Sequence, residues 1–356
     1  MVRRVRLGRR DAPSPARKGA SLWAGPPRLL IAFTLLGFVV APFVADDSAA
    51  QRPALTTMSA SVVSPRSVEP EVVAPKVVYP PAQGGRAGAG VRPVQLKQVS
   101  LGVASFNMFR RLTPAQAAQD ARDLTRRKSI DIIGWQEADA FTSVLNALPG
   151  WETKTFPFAQ RSSELAMSWR RSQFRLVSAK QVRVTYGVTA TEGRYPFGPR
   201  LVAQVTLEHR DTGRRLTVIN AHLPRMSEDL DRPGRWRATI NAYRARNQLA
   251  RIVDIWGDAP GRWVIGTGDF NFDAKADARH RRPDGPRRAL AETAVSSYER
   301  LGVDVPPTFP DNGRRIDYVW VDKDADADGR MRFLSHWVIE GLNSDHNAIV
   351  ARLRLS

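Results

Sequence analysis

The stretch WVIGTGDFNFD, residues 263–273, is the one around which the rest of the chain is organised. Trp263, Val264 and Ile265 form a short apolar run, the composition of a strand covered on both faces. Gly266 and Gly268 allow a sharp turn or a close approach to a ligand. Asp269 and Asn271 lie two apart, so extended backbone points them the same way. An acid and an amide at the end of a buried strand can hold a phosphate, a nucleophilic water or a metal. A turn in which Asp and Asn bond their own backbone has the same local sequence. The other polar tips along the chain decide between the two.

Residues 99–106 (VSLGVASF) are apolar and β-branched, and read as a strand that delivers Asn107. Thr113-Pro114 opens a helix, and residues 114–128 carry Ala, Leu and Arg at helical spacing. Residues 130–133 form a second buried strand with Gly134-Trp135-Gln136-Glu137 as its tip. A carboxylate delivered by Ile-Ile-Gly-Trp is poorly explained as a solvated charge. Residues 163–169 (SELAMSW) and 173–183 (QFRLVSAKQVR) read as a hairpin around Arg170-Arg171-Ser172. Residues 201–207 and 215–221 read as another, around Asp211-Thr212-Gly213. Its second strand ends in Asn220-Ala221-His222, and the following Leu223-Pro224 places His222 at a sheet edge near solvent. Residues 235–256 have the pattern of an amphipathic helix, with Ile240, Tyr243, Leu249, Ile252, Val253 and Trp256 on the apolar face.

Residues 277–288 read as an irregular loop carrying Arg279, Arg281, Arg282, Arg287 and Arg288. Beside a phosphate-binding site these are candidate contacts to a phosphate backbone. Residues 315–321 (RIDYVWV) form a strand in which Asp317 sits among apolar neighbours; a carboxylate buried there requires a partner. Asp322, Asp324, Asp326 and Asp328 resemble the start of a calcium loop, but the twelfth position from Asp324 is Ser335, not Glu. An acidic hairpin turn is expected, with a surface calcium site as the alternative. Residues 331–340 and 347–355 close the sheet, with Ser344-Asp345-His346 between them.

The N-terminal part has a different character. Eight basic residues precede or flank an apolar run at 29–44, LLIAFTLLGFVVAPFV, and Ser48-Ala49-Ala50 offers a cleavage site. This is the layout of an export signal, or of a signal-anchor contacting the membrane through residues 29–44. Residues 51–98 are rich in Pro, Val, Ala, Ser and Gly and read as a tether. Three parts are therefore expected: the signal or anchor at 1–50, the tether at 51–98 and a catalytic domain at 99–356. The domain is expected to be extracytoplasmic, secreted or held at the membrane by its single N-terminal segment, and monomeric. The chain carries a formal net charge of +19, and residues 99–356 alone hold 40 basic and 30 acidic residues, a net of +10. Such a surface favours polyanions: nucleic acid, anionic lipid or phosphorylated sugars. There is no cysteine, which excludes thiol catalysis and cysteine-bound zinc.

Asn107, Glu137, His222, Asp269 with Asn271, Asp317, and Asp345 with His346 all follow or begin short apolar runs. In the order SFN, GWQE, NAHLP, GDFNFD, RIDYVWV and SDH, these motifs resemble the endonuclease/exonuclease/phosphatase family across residues 99–356. The resemblance implies a four-layer α/β sandwich, with two mixed β-sheets packed face to face and helices outside. It implies Asn107 and Glu137 as the main divalent-metal site, with Asp345 as a further metal contact. It also implies Asp269 and Asn271 as the pair orienting nucleophile and phosphate, and His222 as the ligand of the scissile phosphate. Asp317 would hold His346, leaving its other nitrogen to take a proton from water. Hard oxygen ligands suit Mg²⁺, with Mn²⁺ or Ca²⁺ as alternatives.

Among the family's branches, the tip GDFNF and the strand RIDY differ from the motifs of inositol-polyphosphate 5-phosphatases. Sphingomyelinases add an apolar hairpin, for which residues 195–199 are the only candidate. The basic loop and domain favour a nuclease acting on nucleic acid, DNA ahead of RNA, with a phospholipid or inositol phosphate as the alternative substrate. A silent binding module has no chemical need for both histidines and all the acids.

Overall fold

The computed structural model describes residues 98–158, 162–187, 198–261, 263–281 and 283–356. The segment at 29–44, nearly all of the tether, Arg282 and most of 195–199 lie outside these residues. Among the described residues no helix is long and apolar enough to cross a membrane.

The strands are β1 (Val99–Asn107), β2 (Ile132–Gln136), β3 (Trp151–Thr155), β4 (Ala166–Arg170), β5 (Phe174–Thr185) and β6 (Arg200–His209). They continue with β7 (Arg215–His222), β8 (Trp263–Asp269), β9 (Ala294–Ser296), β10 (Asp317–Asp322), β11 (Met331–Ile339) and β12 (Ala348–Leu355). They form two six-stranded sheets, ordered β11-β12-β1-β2-β4-β3 and β5-β6-β7-β8-β10-β9. Each sheet is antiparallel except for one inner parallel pair, β1 with β2 and β7 with β8. A parallel pair needs a crossover. Helices Pro114–Thr125 and Ile240–Gly257 supply the two crossovers.

Those helices also complete the four layers. Leu101 and Val103 of β1 alternate inward to meet Val205, Val218, Ile265 and Val319 of the other sheet in one buried cluster. Ala104 and Ile133 point the other way, under Ala117, Ala121 and Leu124 of the first helix. Ala245, Leu249, Ile252 and Trp256 seat the second helix on the opposite sheet. The fold is thus the α/β sandwich expected from the resemblance.

Topology decides where the tips go. Asn107, Glu137, His222 and Asp269 stand at or just beyond the C-terminal ends of the two parallel pairs. Asp317 begins β10 and His346 precedes β12; both strands run antiparallel, so their starts reach the same rim. The register then aligns His222 with Asp269, and Asp269 with Asp317, across three adjacent strands.

The sheets are pinned together just below this rim. Asn220 Nδ2 donates to Trp135 O at 2.8 Å and to Ala166 O at 3.1 Å. Its Oδ1 accepts from Gln136 Nε2 at 2.8 Å and Thr267 Oγ1 at 3.1 Å. A buried amide with all its capacity used costs little and fixes one relative position of the sheets. Gly134 is required here: a Cβ would stand 2.1 Å from Thr267 Oγ1.

Several local expectations are corrected. Residues 163–183 are not a hairpin. β4 pairs with β2 and β3, β5 pairs with β6, and the turn between them passes from one sheet to the other. The long helix starts at Ile240, because Thr239 caps it by accepting from Ala242 N. Tyr243, expected on its apolar face, is 56 % exposed. The stretch at 277–288 is not wholly irregular, since short helices Ala274–Arg279 and Pro286–Ala289 bracket it. Asp322 caps another short helix, Lys323–Ala327, and Asp326 pairs with Arg300, so these acids serve structure and form no calcium-type loop. Gly266 and Gly268 sit within β8 and make no turn; a Cβ on Gly268 would lie 2.3 Å from Ala221 O.

Candidate active site

The rim opens into a cleft of about 690 Å³ lined by Asn107, Glu137, His222, Asp269, Asn271 and His346 among others. Asp317 lies directly beneath, fully buried. Its backbone N–H and that of Ile316 donate to Thr308 Oγ1. Its carboxylate accepts from His346 Nδ1 at 2.9 Å, which is the partner that burial demanded. His346 Nε2 is left facing the cleft, 3.9 Å from Asp269 Oδ2. Burial pushes the Asp317 carboxyl up to about 6, against the pull of His346. Burial disfavours the imidazolium too, but Asp317 and then Asp269 outweigh it and raise His346 to about 9. The two groups share one proton, and the ring of carboxylates places it on His346. Asp317→Asn removes the largest of these attractions, so His346 should titrate at least about one unit lower by NMR in the metal-free protein. An unchanged imidazole titration would break the pair.

A second acid–imidazole pair faces the first. His222 is 4 % exposed on an inner strand, not at a solvent edge as its neighbours in sequence had implied. Its Nδ1 lies 3.1 Å from Glu164 Oε2, and its Nε2 lies 3.3 Å from both Asp269 Oδ2 and Asn271 Nδ2. Asp269 thus stands between two histidines. Burial would raise its carboxyl, yet His222 and His346 hold it well below the usual carboxylate range. Asn107 Nδ2 and the Asn271 backbone N–H donate to it as well, at 3.1 and 2.8 Å.

Asn271 converges with Asp269 for a reason other than strand alternation. β8 ends at Asp269, and Asn271 turns left-handed with φ 49°. Phe109, Glu137 and Met226 share that conformation, and all four line the cleft. No other non-glycine among the described residues has positive φ. Each such residue costs on the order of 1 kcal/mol or more, which the surrounding packing sustains.

The expected metal ligands Asn107, Glu137 and Asp345 also line the cleft. Burial works to raise Glu137, but His222 and Arg110 outweigh it and hold the carboxyl lowered and ionised. Its Oε2 accepts from Arg110 N and Nε, each at 3.1 Å. Burial raises Asp345, whose Oδ1 is buried with no hydrogen-bond partner. Asn107 Oδ1 accepts from Phe109 N. An ionised carboxylate, an orphaned carboxylate oxygen and an amide oxygen are hard oxygen donors, a set that fits a divalent cation. Asp269, Asp317 and His346 also bring ligand atoms within 4.8 Å of one another.

Asp120, on helix Pro114–Thr125, fixes the loop before His346 by accepting from the Asn343 and Ser344 backbone N–H groups.

Glu164 and the cleft arginines escaped sequence reasoning. Glu164 is 3 % exposed and joins His222, Arg110 and Arg200. Its only sequence signal was an acid at the head of the apolar run ELAMSW. Arg110, Arg111, Arg200, Arg225 and Arg314 line the cleft. Of the arginines expected to contact phosphate, Arg279, Arg281, Arg287 and Arg288 do not line it, and Arg282 lies outside the described residues. Arg287 is paired with Glu299 at 3.3 Å. The arginines that line the cleft, at positions 110–111, 200, 225 and 314, form no run in the sequence.

The sequence pattern of the Endonuclease/Exonuclease/phosphatase family matches residues 104–346, from β1 to His346. The chain belongs to that family, whose enzymes hydrolyse phosphate esters. No curated protein matches it by sequence. Among solved structures, the endonuclease/exonuclease/phosphatase from Bacteroides vulgatus aligns with TM-score 0.54 at 15% identity, covering 72% of this chain and all 100% of that one. TDP2 of D. rerio, solved with a single-strand DNA product, aligns with TM-score 0.54 at 15% identity, covering 71% of this chain and 98% of that one. The Bacteroides thetaiotaomicron mannosyl-6-phosphatase aligns with TM-score 0.50 at 18% identity, covering 71% and 99%. At these identities the likeness is one of fold.

Proposed function

We propose that the protein is a divalent-metal-dependent phosphodiester hydrolase that cleaves nucleic acid, acting as an endonuclease on DNA. The observation that carries this reading is the facing of two acid–imidazole pairs across Asp269 inside a cleft rimmed by arginines. His346, oriented by Asp317 through Nδ1, takes the proton of the attacking water at Nε2. Asp269 and Asn271 orient that water. His222, held by Glu164, donates from Nε2 to a phosphate oxygen. Glu137, Asn107 and Asp345 would hold the cation, which supplies charge stabilisation at the phosphoryl oxygen. Arg110, Arg111, Arg200, Arg225 and Arg314 put positive charge at the cleft, which suits a polyanion better than a neutral ester. Residues 1–50, read as an export signal or anchor, would put this activity outside the cytoplasm, in a monomer.

A phosphomonoester or phospholipid reading has one observation in its favour. Leu230 is 48 % exposed on the cleft wall, where an acyl or sugar group could lie. One panel separates the readings: the full chain with plasmid DNA, RNA, sphingomyelin, a sugar phosphate or an inositol polyphosphate, with Mg²⁺, Mn²⁺, Ca²⁺ or EDTA. Cation-dependent loss of supercoiled plasmid is expected. Intact plasmid with release of lipid headgroup or inorganic phosphate would replace the nuclease reading by the second.

A further inference from the structure

Beyond the cleft wall lies a trough of about 430 Å³ that the chemistry above does not use. Trp236, Arg237, Tyr243 and Arg246 line it. The stretch 236–247, WRATINAYRARN, holds three arginines and no acid. Tyr243 is 56 % exposed although Ala242, Ala245 and Leu249 of the same helix are buried, so core packing does not explain it. The Arg244 guanidinium lies 6.0 Å from its ring centre. Trp236 forms a firm wall: its ring lies 4.6 Å from that of Phe272, next to Asn271 in sequence, and its Nε1 donates to Asp284 O.

A small ribbon joins trough and cleft. Asp229 N donates to Arg235 O and Arg237 N to Ser227 O, each at 2.8 Å, and Glu228 bridges to Trp236. Met226, Glu228 and Leu230 on one strand of the ribbon line the cleft, while Trp236 and Arg237 on the other line the trough. Two hydrogen-bonded strands are about 4.8 Å apart, so the trough begins within the reach of about one or two nucleotides from the cleft wall.

We infer that this trough is a second subsite for the substrate strand, taking one unpaired base against Tyr243 and its flanking phosphates on Arg237 and Arg246. An exposed aromatic ring in an arginine-rich, acid-free stretch is the composition that binds single-stranded nucleic acid, because every base offers a face to stack and every nucleotide a charge. The Thr239 cap already satisfies the helix end, so the site rests on the side chains. The subsite presupposes the nucleic-acid substrate proposed above.

The test compares the full chain with its Tyr243→Ala/Arg246→Ala variant in EDTA, using fluorescein-labelled oligothymidylates of roughly four and twelve nucleotides, lengths below and above the span of a typical single-strand site. Both side chains line the trough rather than the core, and a matching melting curve confirms that the variant is folded. The parent should bind the longer strand more tightly than the shorter. The double substitution should cost about tenfold on the longer strand, little on the shorter, and flatten the slope of log K against log salt by about 0.7 for the lost arginine. Equal affinity of parent and variant for the longer strand overturns the subsite while leaving the nuclease reading intact. A variant that loses binding only to phosphatidylglycerol vesicles reassigns the trough to a lipid surface. A parent that binds neither oligonucleotide in EDTA and cleaves neither when Mg²⁺ or Mn²⁺ is restored removes the nuclease reading and the subsite together.

Discussion

His346→Gln should lower kcat by about two to four orders of magnitude, with KM changed only a few-fold. Glutamine keeps a donor for the fully buried Asp317 carboxylate but cannot take up a proton from water. The split between kcat and KM matters, because lost packing alone would not produce it. His346→Ala should be as inactive but less stable, since it strips Asp317 of its partner. With its carboxyl already raised to about 6, Asp317 would then take up a proton near neutrality in place of standing as a bare charge. The pH profile has a defined sign. Only neutral imidazole accepts a proton, so the rate of the parent rises with pH as His346 loses its proton. That group titrates at about 9 in the metal-free protein, and positive charge bound at Glu137 and Asp345 moves the limb downward. A His346→Gln enzyme with activity within about tenfold of the parent would falsify His346 as the base.

Glu164→Ala should be the most destabilising single change at the site, by about 3–5 kcal/mol. Arg200 is 6 % exposed and pairs with this carboxylate. Burial lowers Arg200 to about 10, which leaves it charged at neutral pH and in need of a counter-ion. For a domain of this size the loss corresponds to a fall of about 10 °C in melting temperature. Glu164→Gln separates structure from chemistry. The amide can still accept from His222 Nδ1, but it no longer neutralises Arg200 and Arg110. Activity should therefore fall by about one to two orders of magnitude, as removal of the carboxylate beside an active histidine does elsewhere. Calorimetry and kinetics on the two variants decide the matter. A Glu164→Ala protein that melts with the parent would show that Arg200 has no need of Glu164.

The residues that the sequence exposed share one signal: a polar group at the margin of a short apolar run. Burial of Asp317 inside RIDYVWV already required a partner, and His346 is that partner. The four layers and both crossover helices were likewise legible, from the family's motifs and from helical and strand periods. What failed were statements about which strand lies beside which. SELAMSW and QFRLVSAKQVR each read correctly as strands, yet a tight turn between two strands does not say whether they share a sheet. His222 looked like an edge residue because Leu-Pro follows it, and only the placement of β7 between β6 and β8 buries it.

Chemistry written in adjacent residues was therefore determined by the amino-acid sequence alone: an acid and an amide at the end of β8, a carboxylate after β2, a histidine before β12. Tertiary structure decided everything that depends on convergence. Glu164 acts on His222 from 58 positions away. The cleft's arginines arrive from separate parts of the chain, whereas Arg279, Arg281, Arg287 and Arg288 are not among the residues that line it. The left-handed turns at Phe109, Glu137, Met226 and Asn271 carry no glycine to announce them. Apolar periodicity is a property of one element and survives in a linear reading. Charge pairing and backbone strain at this rim belong to several elements at once, and exist only when the two sheets have met.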